Sequence, residues 1–158
     1  MKQKIIPNLW CVGNAREIAD FYVSVFPGSS ITGGSKYPDT KEDGLADFQL
    51  GFAGKDLTVE ATLAGHDFVF INAGPEFSPT PSSSFMVNFD PTHDSQAREH
   101  IDQVWAKLID GGEALMALDS YPFSQRYGWV KDKYGFTWQL ILTNPDGEPR
   151  PCIIPSLM

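Results

Sequence analysis

Apolar and polar positions fall along the chain in a series of short patterns that runs through twice. Residues 5–12 form an apolar, β-prone run. Asn14 stands where a helix cap is expected, and Ile18, Phe21, Tyr22 and Val25 follow at helical spacing, which predicts an amphipathic helix to about Phe26. Pro27 and Gly28 stop it. Strands are expected at residues 30–37, 46–52, 57–63 and 68–73, with 41–44 a charged loop. In the third of these, Leu57, Val59, Ala61 and Leu63 alternate with Thr58, Glu60 and Thr62. A Pro- and Ser-rich linker spans 74–83. A strand at 84–89 then places Phe85, Val87 and Phe89 on one side. A helix at 95–109 turns Ile101, Val104, Trp105 and Leu108 inward, and Gly111-Gly112 ends it. Three more strands are expected near 114–118, 127–131 and 137–143.

Each half reads strand, helix, strands, so an internal duplication is the economical account. Ala15-Arg16-Glu17 and Ala97-Arg98-Glu99, both near a helix start, are a thin echo of it. A sharper echo joins the two ends. Ile5-Ile6-Pro7-Asn8-Leu9 returns as Ile153-Ile154-Pro155-Ser156-Leu157. One reading is coincidence between β-prone segments. The other is the vestige of a further module copy, with a terminal strand able to dock on a sheet edge.

Composition narrows the classes. The chain has 158 residues, 42% apolar and 20% charged, which suits a globular protein with a core of its own. Its 14 Gly and 12 Pro imply many turns and argue against a helical bundle and against a coiled coil. A formal charge of −8, with no Lys/Arg cluster, disfavours nucleic acid and anionic membranes as partners. No apolar stretch is long enough for a membrane span, and residues 1–7 do not read as a signal peptide, so the expected location is cytoplasmic. Cys11 and Cys152 form neither a disulfide framework nor a zinc spacing.

Several blocks look familiar. Phe21-Tyr22 with Val25-Phe26-Pro27, Phe68 with Asn72-Ala73-Gly74-Pro75, and above all Tyr127-Gly128-Trp129-Val130-Lys131-Asp132-Lys133-Tyr134-Gly135 followed by Trp138-Gln139 resemble the glyoxalase/bleomycin-resistance/dioxygenase (vicinal oxygen chelate) superfamily. More narrowly, they resemble its PhnB-like branch, historically labelled demethylubiquinone methyltransferase. The resemblance covers residues 4–142. It implies an α+β fold, two βαβββ modules with mixed sheets curled around a shared cavity, and a homodimer. Residues 1–158 would then be one glyoxalase-like domain made of modules 4–75 and 82–143, with 144–158 a C-terminal tail. The methyltransferase label finds no support in the residues, because no Gly-rich strand–turn–helix is present to hold a nucleotide-like methyl donor.

Metal-dependent members of the superfamily hold a divalent ion with His, Glu or Gln, one from each of four strands. Here the corresponding positions fall on Pro7, on Phe70 or Asn72, on Ser84 and on Gln139. One amide and one hydroxyl do not make a tight site, so no metal and no other cofactor is expected. His66, His93 and His100 read as surface residues, and Glu76, Asp90 and Asp94 as turn and cap residues. What remains is a cavity. Strand alternation gives it Ser84, Met86 and Asn88, together with Thr137, Gln139 and Ile141. Pro7, Leu9 and Cys11 are expected to join them from the first strand, with Asn72 and Thr58, Glu60 and Thr62. Residues 121–129 are expected to form a flap supplying Phe123, Arg126 and Trp129.

The candidate ligand-binding residues are therefore Cys11, Glu60, Asn72, Ser84, Met86, Asn88, Arg126, Trp129 and Gln139. Each also has a plainer role available: core for Cys11 and Trp129, a solvated strand position for Glu60, turn bonding for Asn72 and Asn88. No catalytic residue is identified. The leading expectation is a dimeric binder of a small, partly aromatic or amphipathic molecule without a metal. The alternative is a lyase, isomerase or dioxygenase, either metal-dependent or using Glu60 as a base. A third is an assembly role for the terminal strand.

Overall fold

A computed structural model describes residues 5–158; the expected start of the first module at residue 4 lies outside the described residues. The chain divides into two compact units, Met1–Phe77 and Ser78–Met158.

In the first unit the order is β1 (Asn8–Cys11), α1 (Ala15–Val25), β2 (Ser30–Lys36), β3 (Asp56–Leu63) and β4 (His66–Asn72). The sheet order is β1-β4-β3-β2, with β1 parallel to β4 and the other pairs antiparallel. The alternation read in β3 is the reason for its two faces. Val59, Ala61 and Leu63 are buried with Leu9, Cys11, Phe68 and Phe70, and α1 adds Ile18, Ala19, Tyr22 and Val25. The Tyr22 and Phe70 rings lie 5.9 Å apart, which fixes this as the helix side of the sheet. β3 and β4 are joined by Ala64-Gly65, both at positive φ (46° and 84°), the conformation of a two-residue hairpin turn that follows the strand twist.

Two local expectations change. The run 46–52 alternates like a strand but forms a 3-10 helix, Asp47–Phe52. Gln49 closes it locally: its N–H donates to the Ala46 carbonyl at 2.9 Å and its Oε1 accepts from the Ala46 N–H at 3.1 Å. Phe48 and Leu50 stay exposed, having no layer to pack against. Without this strand the first unit is a βαβββ module. The cap of α1 also differs. Asn14 Oδ1 accepts from the Val12 N–H, and the acceptor for the first helical N–H, that of Ala15, is Asn72 Oδ1 at 2.8 Å.

The second unit repeats the order with β5 (Ser83–Phe89), α2 (Ala97–Ile109), β6 (Glu113–Tyr121), β7 (Ser124–Lys131) and β8 (Thr137–Leu142), then adds β9 (Ile153–Leu157). Its sheet order is β6-β7-β8-β5-β9, with only β5 and β8 parallel. Residues 153–157 of the expected tail are thus an edge strand, and Ile153 is buried. α2 packs Ile101, Val104 and Leu108 on the side of Phe85, Val87, Val130, Trp138 and Leu140. Gly128 permits its close approach, since a Cβ there would meet the Trp105 ring at 2.5 Å and Leu118 Cα at 3.0 Å.

The block 127–139 that carries the resemblance is locked by Asp132. Its buried carboxylate accepts from the N–H groups of Tyr134 (2.9 Å) and Phe136 (3.2 Å) and from Trp138 Nε1 (3.0 Å). Gly135, at φ 89°, supplies the left-handed residue of this turn. The architecture is α+β with two mixed sheets, and among the described residues no helix is long and apolar enough to cross a membrane.

Candidate functional site

The face of the second sheet turned away from α2 follows from strand register. Met86 pairs with Gln139 and Gln139 with Trp129; Asn88 pairs with Ile141 and Ile141 with Tyr127. Ser84 shares the parity of Met86 and Asn88. This face therefore brings together Ser84, Met86, Asn88 and Gln139, the set expected from strand alternation, with Trp129, which was expected on a flap and lies instead within β7 opposite Gln139.

At its centre is a buried polar chain. Tyr127 Oη donates to Gln139 Oε1 at 2.7 Å, and Gln139 Nε2 donates to Ser84 Oγ at 2.7 Å. Ser84 and Gln139 are buried. Burial, with the neighbouring Tyr121 adding to it, pushes the Tyr127 phenol above its ordinary value, so it stays a protonated donor at neutral pH.

Beside this chain lie two polar atoms that are buried and without a hydrogen-bond partner among the described residues: Asn88 Oδ1 and Trp129 Nε1. Asn88 Nδ2 is used, donating to the Pro151 carbonyl at 2.8 Å. An acceptor and a donor thus remain unsatisfied on one sheet face, a condition native interiors rarely leave unfilled.

The β6–β7 turn supplies aromatic walls. The Tyr121 and Phe123 rings stack at 5.6 Å, and each meets Tyr127 edge-on, at 5.7 and 5.0 Å. Tyr121 and Phe123 also line a cavity of about 480 Å³ with Pro91, Leu142, Asn144 and Pro145. Tyr127 joins the aromatic cluster to the polar chain. Sequence reasoning missed it as a site residue, although it sits two positions before Trp129 and so on the same side of β7.

Other candidates lie elsewhere. Arg126 is three positions from Trp129 and faces α2, where it binds Asp102 through Nε and NH2, each at 2.8 Å, and the Leu118 carbonyl at 3.3 Å. Placing it on a common rim with Trp129 was a parity error. In the first sheet Cys11 and Asn72 are on the α1 side, whereas Glu60 is exposed on the opposite face with Val69 and Asn8. The expected facing of Pro7, Leu9 and Cys11 is off by one residue: Asn8 and Trp10 share the face of Glu60. Asn72 spends its side chain on backbone, accepting from Ala15 and donating to the Asp56 carbonyl at 2.8 Å. Burial pushes the Cys11 thiol up to about 12. His93 and His100 contact Asp90 and Asp94 at 3.0 and 2.5 Å, and those carboxylates also accept the N–H groups of Thr92 and Gln96, as turn and cap residues do. Among the described residues no three His, Cys, Asp or Glu side chains come together as a metal-holding group.

Residues 3–141 match the family described as 3-demethylubiquinone-9 3-methyltransferase. The chain belongs to this family. Within the vicinal oxygen chelate superfamily it falls in the PhnB-like branch. The PhnB protein of Bacillus cereus is 37% identical, with 89% of this chain covering 100% of that one and a TM-score of 0.72. A Pseudomonas aeruginosa protein (19% identity, 89% and 98% covered, TM-score 0.69) and the fosfomycin resistance protein FosX of Listeria monocytogenes (12%, 91% and 95%, 0.58) share the fold. No curated protein matches the chain. The PhnB-like block at 127–139 is the same segment that Asp132 locks and that delivers Tyr127, Trp129 and Gln139 to one face.

Proposed function

We propose that this PhnB-like protein binds a neutral, partly aromatic small molecule on the face of its second sheet turned away from α2, without a coordinated metal. One observation carries the reading: the Tyr127–Gln139–Ser84 chain. A divalent ion at these positions needs the Gln139 oxygen, and that oxygen already accepts from Tyr127 while the amide nitrogen is turned to Ser84. The donor set does not fit a tightly held ion. None of Ser84, Met86, Asn88, Tyr127, Trp129 and Gln139 is charged. Register places Lys131 and Asp119 on the same face, but Lys131 is paired with Glu113 at 2.6 Å and Asp119 is exposed on the edge strand β6, which favours an uncharged ligand. The unsatisfied Asn88 Oδ1 calls for a ligand donor and Trp129 Nε1 for an acceptor, and the Tyr121 and Phe123 rings, which meet this face through Tyr127, offer a wall for a flat ring. We further propose that the chain works as a cytoplasmic homodimer.

The methyltransferase description is best read as a label. The turn between β1 and α1 is Val12-Gly13-Asn14, with one glycine, and residues 90–96 between β5 and α2 contain none. Neither is the glycine-rich turn on which a nucleotide-like methyl donor would rest.

Thermal shift with 2-quinolinone, a neutral ring carrying one N–H and one carbonyl, tests the reading, because a compound that binds only the folded state raises its melting temperature. The expected result is a stabilisation lost in Asn88→Ala and in Trp129→Phe, and absent with quinoline-2-carboxylate. Stabilisation by divalent cations or carboxylates alone would favour a metal-dependent or Glu60-assisted enzyme instead.

A further inference from the structure

The strand at the edge of the second sheet carries the same motif as the N-terminal segment: Ile153-Ile154-Pro155-Ser156-Leu157 against Ile5-Ile6-Pro7-Asn8-Leu9. The structure gives this identity a physical meaning. β9 runs antiparallel to β5, with Ile153 opposite Val87, Ile154 opposite Met86, Pro155 opposite Phe85 and Ser156 opposite Ser84. The flanking bonds, Asn88 N–H to the Cys152 carbonyl (2.7 Å) and Met158 N–H to the Ser82 carbonyl (2.9 Å), show that even-numbered residues of β9 exchange hydrogen bonds with β5. The nitrogen of Pro155 therefore points away from β5, where a missing N–H costs the ladder nothing. Ile153, on the α2 side, is 1% exposed and fills a core position.

Residues 5–8 satisfy every one of these requirements in the same register. Ile5 would take the place of Ile153, Ile6 that of Ile154, Pro7 would again turn its nitrogen outward, and Asn8 would replace Ser156. In this chain Ile5 and Ile6 precede β1 and are 73% and 47% exposed, whereas the Pro7 carbonyl accepts from the Val69 N–H at 3.0 Å and Asn8 pairs with Val69, so docking residues 5–8 elsewhere requires this first step of the β1–β4 ladder to open. The segment leading into β9, residues 144–151, is exposed and contains no helix or strand, so it serves as a tether.

We propose that β9 is an exchangeable strand, and that the β5 edge it fills is a docking site for residues 5–8 of a second copy of this chain. The tether holds β9 at high effective concentration and keeps the edge occupied within one copy. Loosening β9 opens the edge to the N-terminal segment of another.

The test uses the full chain, folded first, with a protease site placed between Asp146 and Glu148. After cleavage the C-terminal piece is held by strand pairing alone. Native mass spectrometry should then find that a synthetic peptide of residues 4–11 displaces that piece and binds one per chain, whereas the same peptide with Ile5→Asp does not. Retention of the C-terminal piece against saturating peptide, or its departure with nothing taking its place, overturns the proposal. An uncleaved Ile153→Asp variant gives a second answer. It should form a concentration-dependent dimer beyond any the parent chain forms, and Ile5→Asp in the same chain should abolish the increase. Equal masses for parent, single and double variants would contradict strand exchange even if cleavage proves destructive.

Discussion

Gln139 Nε2 donates a hydrogen bond to Ser84 Oγ at 2.7 Å across the parallel β5–β8 pair, and both residues are buried. With Tyr127 on the other end of the amide, each partner's polar atoms depend on Gln139. Gln139→Ala leaves a buried phenol and a buried hydroxyl without that partner, and is expected to cost about 2–4 kcal/mol. Tyr127→Phe alone should cost about 1 kcal/mol. In the double variant the Tyr127→Phe effect should largely vanish, because its acceptor has already gone. Urea unfolding of the four proteins of this cycle checks it; additive losses would mean that the chain of bonds is not formed.

Asn72 ties three segments together, accepting from Ala15 at the start of α1, donating to Asp56 at the start of β3, and lending its carbonyl to the Tyr37 hydroxyl at 2.7 Å. Asn72→Ala removes the helix cap and strands the Asp56 carbonyl, with an expected loss of about 2–3 kcal/mol. Asn14→Ala, at the nominal cap position, should cost less, because the Asn14 side chain bonds the Val12 N–H. Chemical denaturation of the two variants separates these roles, and a larger effect at Asn14 would reverse the assignment of the cap.

Cys11 lies on the α1 side of the first sheet, and its thiol titrates at about 12 because burial disfavours the thiolate. Only about one molecule in ten thousand carries the thiolate at pH 8. Iodoacetamide should therefore leave Cys11 unmodified in the folded protein and alkylate it readily in urea, as peptide mapping will reveal. Rapid labelling in the folded state would place Cys11 at an open surface.

Asp94 is held below its ordinary 3.8, first by the hydrogen bond to His100 and then by the Gln96 N–H; Asp90 is lowered in the same way by Thr92, through its hydroxyl and its N–H, and by His93. The folded state therefore prefers these groups ionised. Their contribution is fully present above the unfolded carboxylate range and fades as pH falls through the lower folded values. Asp94→Asn should destabilise by a small amount at pH 6 that approaches zero near pH 2. Urea midpoints across that window check the sign; a gap that widens on acidification would contradict it.

Strand periodicity made β3 and β5 legible, because each has one wholly apolar side: Val59, Ala61 and Leu63 in one, Phe85 and Val87 in the other. The same signal was ambiguous in β1, where four residues offer Leu9 and Cys11 against Asn8 and Trp10, and only pairing with Phe70 and Asn72 decides the side. It misled at 46–52, whose alternation meets no partner strand and is closed instead by Gln49. Ser84, Met86, Asn88 and Gln139 could be assigned to one face because a single parity rule covers β5 and β8. Arg126 was misplaced by taking the Tyr121–Trp129 segment as a unit, although residues three apart on a strand face opposite ways. Tyr127 came into view only with register, since its bond to Gln139 crosses from β7 to β8.

The central claim, that the buried Ser84–Gln139–Tyr127 chain replaces a coordinated ion, is tested most directly by loading the purified protein with Zn²⁺, Ni²⁺, Mn²⁺ or Fe²⁺, dialysing it, and measuring bound metal per chain. The predicted result is no retained metal in the parent chain and none in Gln139→Ala. One equivalent held by the parent and lost in Gln139→Ala would contradict it.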